Sequence, residues 1–320
     1  MHSKDTLMDS DTLHNTDTAN TESDYVIDCE NLIKIYKTKE FEVVALQGLD
    51  LRVKRGEFTA IIGNSGSGKS TLLNMIGGLD KADAGKLLVA GKDLFKLTEK
   101  ELTDYKRDSI GFVWQNNSRN LIPYLTASEN IECILGLKKH EKGFNAKKRA
   151  GELLDLVELS HRKNNRLFEL SGGEQQRVAI AIGICNNPHI LLADEPTGQV
   201  DSKTSDKIFS IFKNLNKELG QTILVVTHDM EVAKKVNRVI SISDGRTSSE
   251  FIKNKTYAEA LSEIDNSFAG NNTNLNDHEE FAVVDRLGRV HLPKEWVADM
   301  DLKGGTLKIT IEDEEIRLHK

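Results

Sequence analysis

Three apolar runs, each four to six residues long, stand out because each ends on residues that can do chemistry. Phe58-Thr-Ala-Ile-Ile62 leads into a glycine-rich loop and then an apolar helix pattern (Leu72, Leu73, Met75, Ile76). Ile190-Leu-Leu-Ala193 leads into Asp194-Glu195-Pro196, and Thr222-Ile-Leu-Val-Val-Thr227 into His228-Asp229. Strands this continuously apolar are buried on both faces, so the pattern predicts an α/β fold with a mostly parallel core sheet covered by helices. Apolar runs alternate with helical stretches over residues 25–246. Within that span, residues 94–175 carry many Lys and Glu and read as helical, which predicts a helical subdomain at the sheet's edge.

The two ends read differently. Residues 1–24 hold six acidic groups against one lysine and few large apolar side chains, a composition that predicts disorder. Residues 247–280 read as one more amphipathic helix (Thr256 to Phe268) followed by a linker rich in asparagine. Residues 281–320 give strand, turn, strand, a short helix starting at Pro293, then two strands around Gly304-Gly305. About 40 residues cannot bury an adequate core alone.

Charge narrows the classes of function. The 320-residue chain has a formal net charge of −7, so no global basic field draws it to nucleic acid or anionic lipid. Its longest uncharged apolar stretch, Val178 to Ala193, is interrupted by Asn186, Asn187, Pro188 and His189, whereas a membrane span needs about 20 apolar residues. The start of the chain has no apolar signal-peptide core. Cys29, Cys133 and Cys185 lie at no metal-ligand spacing and read as reduced thiols, which predicts a cytoplasmic protein.

Gly63-Asn64-Ser65-Gly66-Ser67-Gly68-Lys69-Ser70-Thr71 matches the phosphate-loop pattern G-x-x-x-x-G-K-[ST] in its expected setting, after a strand and before a helix. Glycines let successive amides point inward, and the helix adds its positive N-terminal end. Lys69 is then placed for the β- and γ-phosphates, and Ser70 for Mg²⁺. Asp194 stands where phosphate-loop enzymes keep the carboxylate that orders Mg²⁺, and Glu195 is placed to polarise an attacking water. His228 could reach the γ-phosphate, although a histidine at a strand end more often serves structure.

Ser171-Gly172-Gly173-Glu174 is a capping box opening an apolar helix. Its glycines leave the first amides uncovered, making a second anion site about a hundred residues after the first. Two anion sites and one nucleotide make sense if the second serves a partner subunit's nucleotide. Leu170-Ser-Gly-Gly-Glu-Gln-Gln176 resembles the signature sequence of ATP-binding cassette (ABC) ATPases, and the motif order resembles that family over residues 25–246. The resemblance implies a head-to-tail homodimer enclosing two ATP molecules, each between one phosphate loop and the other subunit's Ser171, Gly172 and Gly173. It further implies that Tyr36 stacks on adenine and that Gln115 senses Mg²⁺ and couples to a membrane partner. Asp201 is implied to bridge the two sites, and His228 to be the γ-phosphate switch.

Ala45-Leu-Gln-Gly-Leu-Asp-Leu51, Asn74-Met-Ile-Gly-Gly-Leu-Asp80 and the segment from Asn120 to Asn130 resemble the branch containing MacB, LolD and FtsE. That resemblance implies an FtsX-like permease as partner, and a place on the cytoplasmic face of the membrane. Ile182-Gly183-Ile184 departs from the family's usual Arg-Ala-Leu. Residues 281–320 resemble the AbrB-type swapped-hairpin domain, and their seven Lys/Arg against eight Asp/Glu favour dimerisation over DNA binding. The expected function is therefore an ATP-hydrolysing ABC transporter subunit that uses ATP and Mg²⁺. Two alternatives are an FtsE-like ATPase that controls an extracytoplasmic hydrolase and a soluble DNA-associated ATPase.

Overall fold

The computed structural model describes residues 24–37, 41–116, 120–138, 141–229, 235–253, 278–283, 290, 292, 308–312 and 315–319. The expectations for residues 1–23, for the helix over Thr256 to Phe268 and for the helix starting at Pro293 lie outside these.

In chain order the elements are β1 (Tyr25–Lys37), β2 (Glu42–Lys54), β3 (Phe58–Ile62), α1 (Lys69–Ile76), β4 (Ala84–Val89), β5 (Lys92–Asp93) and α2 (Glu99–Asp108). There follow β6 (Ile110–Val113), α3 (Ala127–Leu135), α4 (Ala146–Leu156), α5 (Gly172–Ile184), β7 (Ile190–Asp194), α6 (Ser202–Leu219) and β8 (Thr222–Thr227). Last come β9 (Arg238–Ser243), β10 (Arg246–Lys253), β11 (His278–Ala282), β12 (Lys308–Glu312) and β13 (Glu315–His319). The core sheet runs β11-β10-β9-β3-β8-β7-β6. Its strands from β9 to β6 are parallel, while β10 and β11 add antiparallel to one edge. The three apolar runs of the sequence are β3, β7 and β8, side by side at its centre.

Strand alternation divides the side chains of these three between two cores. Ala60, Ile62, Leu191, Ala193, Ile223 and Val225 face one core, which α3, α4, α5 and α6 cover. Ile61, Ile190, Leu192, Leu224 and Val226 face the other, covered by α1 and by a four-stranded antiparallel sheet, β2-β1-β4-β5. Each fully buried Leu, Ile or Val stabilises by roughly 1.5–3 kcal/mol, so neither cover is dispensable. Helix α6 is fixed on its side by an aromatic cluster in which Phe58 of β3 stacks on Phe209 and meets Phe212 edge-on. Capping boxes at Thr98, Thr126 and Ser171 start α2, α3 and α5.

Two features depart from the sequence pattern. Within the stretch read as helical from residue 94, Ile110–Val113 is a strand, β6, completing the far edge of the core sheet. Four residues between helices are too few for a period to show. Here α5 presses directly on the strand: a Cβ at Gly111 would lie 2.0 Å from the Gly183 carbonyl oxygen, and one at Gly183 would lie 2.8 Å from Leu191 Cδ1. That contact explains the glycine at 183, where the family pattern has a larger residue. The sheet also continues past residue 246 through β10, whose Arg-Thr-Ser-Ser-Glu start hides its strand character although Ser248 and Ser249 are buried. β10 pairs with β11, so residues 278–280, read as linker, and Phe281 and Ala282, read as the start of a separate unit, belong to the edge of the core sheet. β12 and β13 form a separate antiparallel hairpin.

The cysteines give a test of these layers. Cys29 and Cys185 are buried and Cys133 is exposed on α3. Burial raises the Cys29 thiol far above its usual range, and the Cys185 thiol to about 11. Ellman's reagent should titrate one thiol quickly in the native protein and three after denaturation. Fast native reaction of two or more would contradict the packing of β1 or α5.

Candidate active site at the carboxyl ends of the parallel strands

Where β3 ends, the chain turns at Gly63 with φ +155° against the β9 backbone, and a Cβ there would sit 2.2 Å from the Ile242 carbonyl oxygen. Gly68 caps α1 in the left-handed region (φ 99°), where a Cβ would meet the Ala45 carbonyl oxygen at 2.5 Å. Only glycine fits either place, and the loop between them is held open. Lys69 folds back into the loop, its Nζ donating to the Gly63 carbonyl at 2.7 Å and the Asn64 carbonyl at 3.0 Å. Burial lowers its pKa, and the neighbouring Glu195 and Asp194 charges oppose that shift. Ser67 Oγ is buried without a hydrogen-bond partner.

Strands β7 and β8 bring the acidic residues to the same edge. The Ser70 hydroxyl donates to Asp194 Oδ1 at 3.1 Å. Glu195 adopts φ +46°, a left-handed conformation that costs a non-glycine residue about 1–3 kcal/mol. Its amide donates to the Val226 carbonyl at 2.9 Å, which locks this turn onto β8. Its carboxylate meets two partners: Thr227 Oγ1 donates to Oε2 at 3.0 Å, and His228 Nδ1 lies 2.7 Å from Oε1. Glu195, Thr197, Gly198, Thr227, His228 and Asp229 line a cleft of about 450 Å³. Gln115 lies against one lining residue, with Nε2 3.0 Å from where a Gly198 Cβ would be.

Lys69, Ser70, Asp194, Glu195, His228 and Gln115 thus fall at the ends of adjacent strands. Tyr36 lies at the end of β1, beside α1, and its phenol also interacts with Thr71. Ser171, Gly172, Gly173 and Asp201 are elsewhere. They sit at the starts of α5 and α6, helices that pack on the face of the sheet opposite α1. There Asp201 caps α6, accepting from the Thr204 amide at 2.9 Å and its hydroxyl at 2.7 Å. Thr204 in turn presses on the α5 start: a Cβ at Gly173 would be 2.2 Å from its Cγ2. Sequence reasoning missed Thr227 and Thr204. The only signal for Thr227 was its position, a hydroxyl closing an apolar strand directly before His228.

The donor set suits Mg²⁺. Among the described residues no three His, Cys, Asp or Glu side chains cluster as a metal cage. A hydroxyl and one carboxylate already in contact are instead the sparse, hard-oxygen set that Mg²⁺ takes when phosphates and water complete its shell.

Comparison with known proteins shows the family. Residues 46–198 match the family model described as ABC transporter. An uncharacterised ABC transporter ATP-binding protein of Methanocaldococcus jannaschii, MJ0796, is 48% identical over 228 residues, 70% of this chain and 96% of that protein. One from Thermotoga maritima is 44% identical over 224 residues, 69% of this chain and 93% of that protein. A solved dimer of the MJ0796 cassette in a post-hydrolysis state, bound to ADP and Pi, matches at TM-score 0.66 and 45% identity, covering 72% of this chain and all of that one. CbiO1 of Clostridium perfringens, part of the transporter complex cbiONQ, matches at TM-score 0.64 and 29% identity, over 76% of this chain and 92% of that one.

The protein belongs to the ABC transporter ATP-binding family and is an ABC ATPase. Among its described residues no helix is long and apolar enough to cross a membrane.

Replacing the loop cation should be costly for nucleotide. Charge-assisted hydrogen bonds contribute about 1.5–3 kcal/mol each, so Lys69→Ala should weaken ATP binding roughly tenfold or more in a calorimetric titration. Unchanged affinity would remove Lys69 from the phosphate site.

Proposed function

We propose that this chain is the ATP-hydrolysing engine of a membrane transporter, working as a head-to-tail homodimer in which each nucleotide lies between one phosphate loop and the partner's Ser171-Gly172-Gly173 turn. The observation that supports this reading is that α1, which carries the phosphate loop, and α5, which carries the signature turn, pack on opposite faces of one sheet. A nucleotide seated at Gly63–Thr71 needs a second copy to meet a signature turn. In that site Lys69 pairs with the β- and γ-phosphates, and Ser70 and Asp194 hold Mg²⁺, which supplies charge neutralisation when bound. Gln115, against Gly198 of the cleft, is the residue that senses the metal.

Glu195 is the general base. It is held by the Thr227 hydroxyl on one oxygen and by His228 on the other, so its carboxylate is aimed before nucleotide arrives. Preset aim lowers the reorganisation needed for proton transfer from water. His228 is exposed on its outer side and free to turn toward a γ-phosphate, which leaves the Glu195 oxygen to the water.

The membrane partner we propose is an FtsX-like permease, on the strength of the segments resembling the MacB, LolD and FtsE branch. The protein then works at the cytoplasmic face of the membrane, in export or in transmitting force across it. Apart from Phe281 and Ala282 on the sheet edge, residues 281–320 serve as a dimerisation unit of AbrB type, a reading supported by their near-neutral charge.

Glu195→Gln tests the base directly, because the amide keeps the shape and cannot take a proton. The variant should bind ATP as the wild type does, turn over at least a hundredfold more slowly, and accumulate as an ATP-bound dimer in size-exclusion chromatography with light scattering. Hydrolysis at the wild-type rate would assign the base role to another group.

A further inference from the structure

Tyr36 is held more firmly than an exposed aromatic on a strand end needs to be. Its hydroxyl donates to Asp80 Oδ2 at 2.9 Å. The other Asp80 oxygen takes Lys34 Nζ at 2.8 Å, and the same ammonium donates to the Lys81 carbonyl at 2.6 Å. Lys34 stands two residues before Tyr36 on β1, with Nζ 5.0 Å from the ring centroid. The lysine side chain is only 10% exposed, while the tyrosine is 40% exposed. One side of the ring is therefore backed by a nearly buried cation, and its tip is pinned by a carboxylate. Val43, opposite Tyr36 across the hairpin and also half-exposed, widens the apolar surface.

The pinning group comes from the helix that carries the phosphate loop. After α1 ends, the chain folds back so that the Leu79 and Asp80 amides donate to the Asn74 carbonyl at 2.8 and 3.3 Å. This turn delivers Asp80 to β1. Burial works against its ionisation, but hydrogen bonds from Lys34, Tyr36 and the Lys81 amide outweigh that and keep its pKa below the ordinary carboxylate value. Burial and the same carboxylate raise the Tyr36 phenol, so it remains a donor. The ring is thus referenced to α1, not to the hairpin tip that carries it.

We propose that Asp80 and Lys34 are positioning residues for the nucleotide base: they set the Tyr36 ring at a fixed place beside the phosphate loop, as a stacking surface for adenine. The proposal rests on the reading that Tyr36 meets the base. An unpinned tyrosine would have to be ordered at each binding event, and ordering one side chain costs about 0.5–1.5 kcal/mol, roughly two- to twelvefold in affinity. Lys34 adds a cation over one face of the ring, an attraction that holds the ring in place.

The test uses the full-length chain and compares ATP with inorganic tripolyphosphate, which has the phosphates and no base. Tyr36→Ala should raise the KM for ATP roughly tenfold or more, the scale of one base–aromatic stack, with kcat nearly unchanged and tripolyphosphate inhibition unaltered. Tyr36→Phe keeps the ring and loses the pin, and should raise KM about three- to tenfold. Asp80→Ala should match Tyr36→Phe, and the double variant should be no worse than either single one. If Tyr36→Ala leaves the KM unchanged, the base does not meet Tyr36 and both readings fall. If Tyr36→Ala weakens ATP but Tyr36→Phe does not, stacking stands and the pinning proposal is wrong. Equal weakening of tripolyphosphate by Asp80→Ala would make Asp80 a support of the loop, again overturning the proposal.

Discussion

The structure depends on covering both faces of one parallel sheet. Strands β9, β3, β8, β7 and β6 leave no solvated face, so their side chains alternate into two cores and each core needs its own layer. Parallel direction has a second consequence: every carboxyl end falls on the same edge. β3 ends in the phosphate loop, β7 in Asp194 and Glu195, β8 in Thr227 and His228, and β6 runs to Trp114 and Gln115. With β8 and β9 flanking β3, the phosphate loop leaves the sheet between later strands, the usual place for a ligand crevice in such folds. Convergence of the candidate catalytic groups follows from sheet direction.

The same covering separates the two glycine turns. α1 belongs to the layer with the antiparallel sheet, and α5 to the layer of helices on the other side. The Thr204 contact ties the start of α5, at Gly173, to the start of α6, at Asp201. In the proposed dimer a nucleotide that meets both glycine turns bridges two chains; the MJ0796 cassette bound to ADP and Pi is itself dimeric. Glu195, strained at φ +46° and pinned to β8, sits on the edge where the bridge would form.

Much of this was legible in the sequence, for physical reasons that differ by element. Continuous apolar runs before reactive residues betrayed β3, β7 and β8, because only a doubly covered strand needs such composition. The start of α5 was legible because a capping box is local chemistry, and Ser171 and Glu174 form it as written. β6 and β10 escaped notice: one is four residues long, and the other buries serines. The antiparallel β1, β2 and β4 mix buried and exposed positions with register shifts, which blurs a period of two. Tyr36 was visible by resemblance alone, and its anchors were not, since Lys34 and Asp80 meet across 46 residues. Long-range polar pairs leave no spacing to read.

The central claim is that no single chain assembles a complete nucleotide site. Mixing two inactive variants tests it most directly: Lys69→Ala, which loses the phosphate loop's cation, and Ser171→Arg, which blocks the signature turn. In a heterodimer, the intact loop of the second faces the intact turn of the first, so one complete site forms. Each variant alone should hydrolyse ATP at background rate, and the equimolar mixture should recover a clear fraction of wild-type turnover. A mixture as inactive as its components would contradict a site shared between two copies.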